Sequence, residues 1–227
     1  MEPASITAAP DVQNRVPQIT VSLSRVGVTG VEKVIRIGEP GAEQLYHARL
    51  ECFVDLGPDQ KGAHMSRFEE VVNDAIGSVV VGGSALRCED LARAIAEDVR
   101  DRQNALRAEV TIEARYPEHK PAPISGITTQ EMYTLHGVAV ASERGTRRVT
   151  GVAAQGMTAC PCAQELVAAR AHERLTGEGF SEEEIARILE AVPVATHNQR
   201  GLGTLYLGFK EGSDVTVDAR DLVEIVE

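Results

Sequence analysis

Residues 19–37 are rich in β-branched side chains and alternate apolar with polar in places, which predicts a strand. Residues 44–56 alternate again through Leu45, Ala48, Leu50, Cys52 and Val54, and Glu39-Pro40-Gly41 between the two runs is a turn signal. Together they predict a long antiparallel hairpin. The period then changes. Phe68, Val71, Val72, Ala75, Ile76 and Val79 have helical spacing, with Ser66 as the expected cap, Glu69 completing a capping box, and Gly82-Gly83 as the break. A second amphipathic helix is predicted over Glu89–Gln103, with Leu91, Ile95 and Val99 at steps of four. Strands are predicted over 106–116 and 131–141, joined by a connection carrying Pro117, Pro121 and Pro123.

The second half starts in the same way. Strands are expected at 146–156 and 202–210, with helical segments at about 163–176 and 181–191 between them. Asp218 caps a final run containing Leu222, Val223 and Val226. The first half thus reads strand, strand, helix, helix, strand, strand; the second has its opening strands and one helix start. Residues 1–18, with Pro3, Pro10 and Pro17, read as an irregular arm.

Composition narrows the classes. The 227 residues carry 23 Lys and Arg against 34 Asp and Glu, a formal charge of −11. A chain of this size buries roughly 70% of its unfolded surface and needs no disulfide staples. The acidic balance argues against nucleic acid, which needs a basic face. No run of 18 apolar residues predicts a membrane span, and the N-terminus has no signal-peptide pattern, so a cytoplasmic protein is expected. In that compartment Cys52, Cys88, Cys160 and Cys162 are expected as thiols or ligands.

Three segments could carry chemistry. Cys160-Pro161-Cys162 lies between a strand and a helix, where a thiolate is a good ligand or nucleophile; the plain alternative is two small buried hydrophobes. In Thr196-His197-Asn198-Gln199-Arg200-Gly201 the four consecutive polar groups 197–200 precede a strand; the plain alternative is a solvated loop. Cys160 and His197 bracket the helical insertion and could meet as two ligands of a metal site. Lys61, His64, Ser66 and Arg67 sit at the start of the first helix, a place suited to an anion such as phosphate, or merely to a cap. His47 and His136 fall in strand patterns, His119 in the proline-rich connection and His172 on a helix surface; Cys52 and Cys88 look structural.

Taken in order, Lys-Gly-Ala-His-Met-Ser-Arg at 61–67, Cys-Pro-Cys at 160–162 and His-Asn-Gln-Arg at 197–200 resemble the alternative GTP cyclohydrolases. Asp11-Val12-Gln13 and Pro123-Ile124-Ser125-Gly126 also look like that family, and the resemblance covers essentially the whole chain. The family comprises the bacterial type IB enzyme of folate synthesis and its archaeal relative of methanopterin synthesis. The resemblance implies an α+β tunnelling fold (T-fold): antiparallel sheets with helices packed on one face, in two tandem modules. The first module would span 19–145 and an incomplete second 146–227, with a helical insertion at about 163–192.

It also implies hydrolytic opening of the guanine imidazole ring of GTP, with release of formate and formation of a 7,8-dihydroneopterin phosphate. Cys160 and His197 would be catalytic as metal ligands, holding one divalent ion per subunit, Fe2+ in preference to Zn2+ or Mn2+. Lys61, His64, Ser66, Arg67, Gln199 and Arg200 would contact GTP, and copies would assemble as a homodimer or homotetramer. The connection between Cys160 and His197 is long, as in the archaeal branch, which is iron-dependent and yields a cyclic phosphate; the bacterial branch yields the triphosphate. Family members continue into further stretches that supply two glutamates and a histidine to the site. The resemblance therefore implies a chain shortened at its C-terminus, and a fragment that binds a purine or pterin, or caps an assembly, without turnover is the alternative.

Overall fold

The structure, a computed structural model, describes residues 15–38, 44–78, 81–82, 87–122, 124–194 and 196–226. Val79, Gly83, the 39–41 turn and most of the N-terminal arm lie outside the described residues. The elements are β1 (Leu23–Gly38), β2 (Gln44–Leu56), α1 (Met65–Ser78), β3 (Val81–Gly82), α2 (Cys88–Gln103), β4 (Arg107–Pro121), β5 (Thr128–Ser142), β6 (Gly145–Ala159), α3 (Pro161–Gly177), α4 (Glu182–Ala191), β7 (Asn198–Gly208) and α5 (Ala219–Val226). The class is α+β. Six antiparallel strands run in the order β1-β2-β4-β5-β6-β7, and the two-residue β3 lies parallel beside β1. Two compact units are present. One takes in the chain up to Ala154 together with Thr204 onward; the other is Gln155–Gly203.

In the larger unit the period-two pattern decides which face is buried. Ala48, Leu50, Cys52 and Val54 of β2 pair with Ala114, Ile112, Val110 and Ala108 of β4, all buried, while Arg49, Glu51 and Asp55 face away with Glu113, Thr111 and Arg107. The helical stripes cover the apolar face: Phe68, Val71, Val72 and Ala75 from α1, Leu91, Ile95 and Val99 from α2, and Leu222 and Val223 from α5. Cys52 and Cys88 belong to this core, and burial pushes both thiols up to about 12, which makes them inert.

Several boundaries differ from expectation, each for a local reason. The first strand starts at Leu23, because its partner Leu56 is the last residue of β2 and among the described residues nothing pairs with 19–22. Irregularities at Leu23/Val26 and Val28/Val31 accompany positive φ at Arg25 and Gly30. β4 runs straight through Pro117 to Pro121 instead of ending at 116, paired with β5 throughout. Beyond Ala114 its β2 side has no partner among the described residues, so the missing N–H of Pro117 costs no ladder bond to them. Asp218 does cap α5, its carboxylate accepting from the Arg220 N–H at 3.0 Å. Ser66 does not cap α1: the helix begins at Met65, and the Arg67 N–H is taken by the His64 carbonyl at 3.1 Å. The capping box forms instead at Ser181 and Glu184 of α4.

A buried guanidinium ties the N-terminus of α2 to the sheet. Arg148, 8% exposed, donates to Asp90 at 2.9 Å and to the carbonyls of Ser213 and Val215 at 2.8 and 3.3 Å. It thereby fastens the segment leading into α5. Arg148→Met is expected to lower stability by about 2 kcal/mol, measured by urea unfolding. Glu89 is 2% exposed, and burial pushes its carboxyl up to about 7. Asp90 adds to the rise; the Glu89 backbone N–H, Thr150 and Arg148 oppose it. Between its ordinary 4.5 and about 7 the folded chain holds a proton that the unfolded chain has lost. Stability therefore falls as pH rises through that window. Glu89→Gln removes this loss, so its melting temperature is expected to exceed that of the parent near pH 8 and to converge on it near about pH 5.

Candidate functional site

The predicted site residues fall in the two units. Lys61, His64, Ser66 and Arg67 are in the larger; Cys160, His197, Gln199 and Arg200 are in the smaller.

In the larger unit the segment before α1 is held by the end of α2. Helix α2 stops where Asn104 adopts the left-handed conformation and its N–H bonds back to Arg100 and Asp101. Gln103, the last helical residue, donates from its amide to the His64 carbonyl at 2.8 Å, and its amide oxygen accepts the His64 N–H at 3.0 Å. Its own carbonyl accepts from the Gln60 side chain at 3.0 Å. The Arg67 guanidinium donates to the Arg102 carbonyl at 2.8 Å. Lys61 and Ser66 are exposed and His64 is half-buried. The first turn of α1 contains no acidic side chain, so its field is open to an anion.

In the smaller unit Cys160 is the N-cap of α3, with Pro161 in the first turn. The cysteine carbonyl accepts from the N–H groups of Ala163 and Gln164, while the sulfur makes no capping bond. The same carbonyl accepts the Thr196 hydroxyl at 2.6 Å. Gln164 donates to the Val194 carbonyl at 3.0 Å, and the Thr158 hydroxyl to the Gln199 carbonyl at 3.1 Å. These three bonds hold Val194, Thr196 and Gln199 against Gln164, Cys160 and Thr158 and set His197 one residue from a bond to Cys160. The two ligand candidates, 37 positions apart, are thus brought to one place. Cys160 is half-buried; Cys162 and His197 are exposed. A thiol and an imidazole are donors suited to a borderline-soft divalent ion. Among the described residues no group of three or more His, Cys, Asp or Glu converges for a metal.

Asn198, Gln199 and Arg200 are not in a loop before the strand but in β7 itself, because β6 continues to Ala159 and pairs with them. The other histidines have ordinary neighbours. His136 faces Glu113 at 3.6 Å and lies 5.3 Å from the Tyr206 ring; His119 contacts Gln130, and His172 contacts Glu182 at 2.8 Å. Sequence reasoning gave Thr158 and Thr196 no role of their own and missed Gln103. Only Gln103 left a signal: it is the next step of the Leu91, Ile95, Val99 stripe, and a polar residue there must find partners.

Among the described residues no helix is long and apolar enough to cross a membrane. Comparison with known proteins places the sequence. The family described as type I GTP cyclohydrolase folE2 matches residues 9–227. GTP cyclohydrolase MptA of Haloarcula marismortui is 38% identical over 218 residues, covering 95% of this chain and 70% of that protein. GTP cyclohydrolase MptA of Methanococcus aeolicus is 36% identical over 91% of this chain and 69% of its own length, and that of Methanosphaera stadtmanae 35% over 98% and 72%. With its Cys-Pro-Cys helix start fastened to the His197 segment and this match over nearly all its length, the chain belongs to the type I GTP cyclohydrolase family.

Proposed function

We propose that the protein opens the guanine imidazole ring of GTP by hydrolysis, releasing formate and leaving a 7,8-dihydroneopterin phosphate. Similarity to proteins named GTP cyclohydrolase MptA supports the methanopterin branch and therefore the cyclic phosphate over the triphosphate. Cys160 and His197 hold one divalent ion per subunit, with Fe2+ preferred to Zn2+ or Mn2+. The observation that carries this is the Thr196 hydroxyl on the Cys160 carbonyl, which ties the residue next to His197 to Cys160. When bound, such an ion supplies a water that is nucleophilic near neutral pH.

The residues of the chain bind and orient the substrate. Lys61, His64, Ser66 and Arg67 take the triphosphate and ribose at the start of α1, where the helix field favours an anion. Gln199 and Arg200 project from exposed positions of β7 and do likewise. The two tandem tunnelling-fold modules, divided at 145/146, remain the architecture we favour. Assembly as a homodimer or homotetramer in the cytoplasm is supported by exposed Met157, Leu166, Val167 and Leu202, whose burial a partner copy would supply.

The test is anaerobic incubation of the Fe2+-loaded chain with GTP, following formate and the mass of the pterin product. Stoichiometric formate with a cyclic phosphate supports the reading in full. GTP binding without formate replaces it by a non-catalytic binding module.

A further inference from the structure

Position 103 continues the buried stripe of α2, yet it holds glutamine, 4% exposed. Both ends of its carboxamide are used: the oxygen accepts the His64 N–H at 3.0 Å and the nitrogen donates to the His64 carbonyl at 2.8 Å, as a neighbouring strand would. The Gln103 carbonyl holds the Gln60 side chain at 3.0 Å. One residue therefore grips the chain at 60 and at 64, on both sides of Lys61. The grip continues into α1, since the same His64 carbonyl receives the Arg67 N–H that closes the first turn. A polar group buried this deeply is costly unless every bond is made, so its partner backbone has one position.

We propose that Gln103 is a positioning residue for GTP: without touching the nucleotide, it fixes the backbone that presents Lys61, His64 and Ser66. This rests on the reading of 61–67 as the substrate-binding segment. A segment released from Gln103 must be ordered by the ligand, so binding weakens while the chemistry of the bound complex changes little.

Gln103→Met, of similar length but without either bond, is expected to raise KM for GTP about tenfold while kcat changes by less than about threefold. The dissociation constant of GTP from the metal-free protein, measured by equilibrium dialysis, is expected to rise in parallel. A merely structural role would lower the folded fraction and leave both constants unchanged. Gln103→Glu, which keeps the acceptor for the His64 N–H, covers the case in which the methionine variant fails to fold, and is expected to raise both constants as well. Lys61→Ala and Ser66→Ala report on the underlying reading. If they weaken GTP binding while the Gln103 variants stay within about twofold of the parent, the proposal for Gln103 is overturned and the segment reading survives. If Lys61→Ala and Ser66→Ala have no effect on either constant, the segment reading falls and the proposal with it.

Discussion

Cys160→Ala is expected to retain only traces of iron and to release formate from GTP about a thousandfold more slowly, the several kcal/mol that a metal contributes to such a step. Its melting temperature should stay close to that of the parent. The reason lies in which atoms of Cys160 the fold uses. The start of α3 is set by Pro161 and by the Cys160 carbonyl, which takes the N–H groups of Ala163 and Gln164 and the Thr196 hydroxyl. The sulfur takes part in none of these bonds, so its removal leaves the local backbone intact. Cys162, exposed and given no ligand role, provides the control: Cys162→Ala should keep both metal and turnover. Metal content by mass spectrometry and formate by a coupled assay check both variants, and full metal and activity in Cys160→Ala would remove the thiol from the site.

Gly137→Ala is expected to lower stability severely. A β-carbon there would lie 2.3 Å from the Cys88 carbonyl carbon and 2.5 Å from the Cys88 oxygen and the Glu89 nitrogen. All three are backbone atoms of the first turn of α2, so no side-chain rotation relieves the clash. Nor can the strand retreat, because Gly137 is paired with Ile112 on one side and Thr150 on the other. The helix would have to lift, together with Leu91, Ala92 and Ile95, none of which has measurable exposure. The expected loss is at least about 3 kcal/mol in chemical unfolding. Gly151→Ala makes the contrast. Its β-carbon would meet the Tyr206 ring at 2.4 Å, but that residue is 51% exposed and can swing aside. About 1 kcal/mol is expected there.

Much of this was legible in the residues. The alternation of Ala48, Leu50, Cys52 and Val54 and the four-residue steps of Leu91, Ile95 and Val99 mark faces that the structure buries, because each period matches one backbone geometry. What escaped has a common cause: it depends on partners distant in sequence. Pro117 reads as a breaker until β4 is seen to have no partner among the described residues on its β2 side beyond Ala114. Asn198–Arg200 read as a loop until β6 is found to extend beside them. Ser66 reads as a cap, yet the backbone of His64, held by Gln103, closes that turn instead. At the candidate site, the residue types at 61–67, 160–162 and 197–200 carried the family resemblance. The bonds that align 194–199 with 158–164 come from Thr158, Gln164 and Thr196, ordinary side chains with no motif value of their own.

The most direct test of the account is formate release from GTP by the parent chain, assayed anaerobically as purified, after chelation, and after return of Fe2+. The account predicts that chelation abolishes formate, that Fe2+ restores it, and that restoration saturates at one ion per chain. Formate release that persists undiminished in the chelated protein would contradict it.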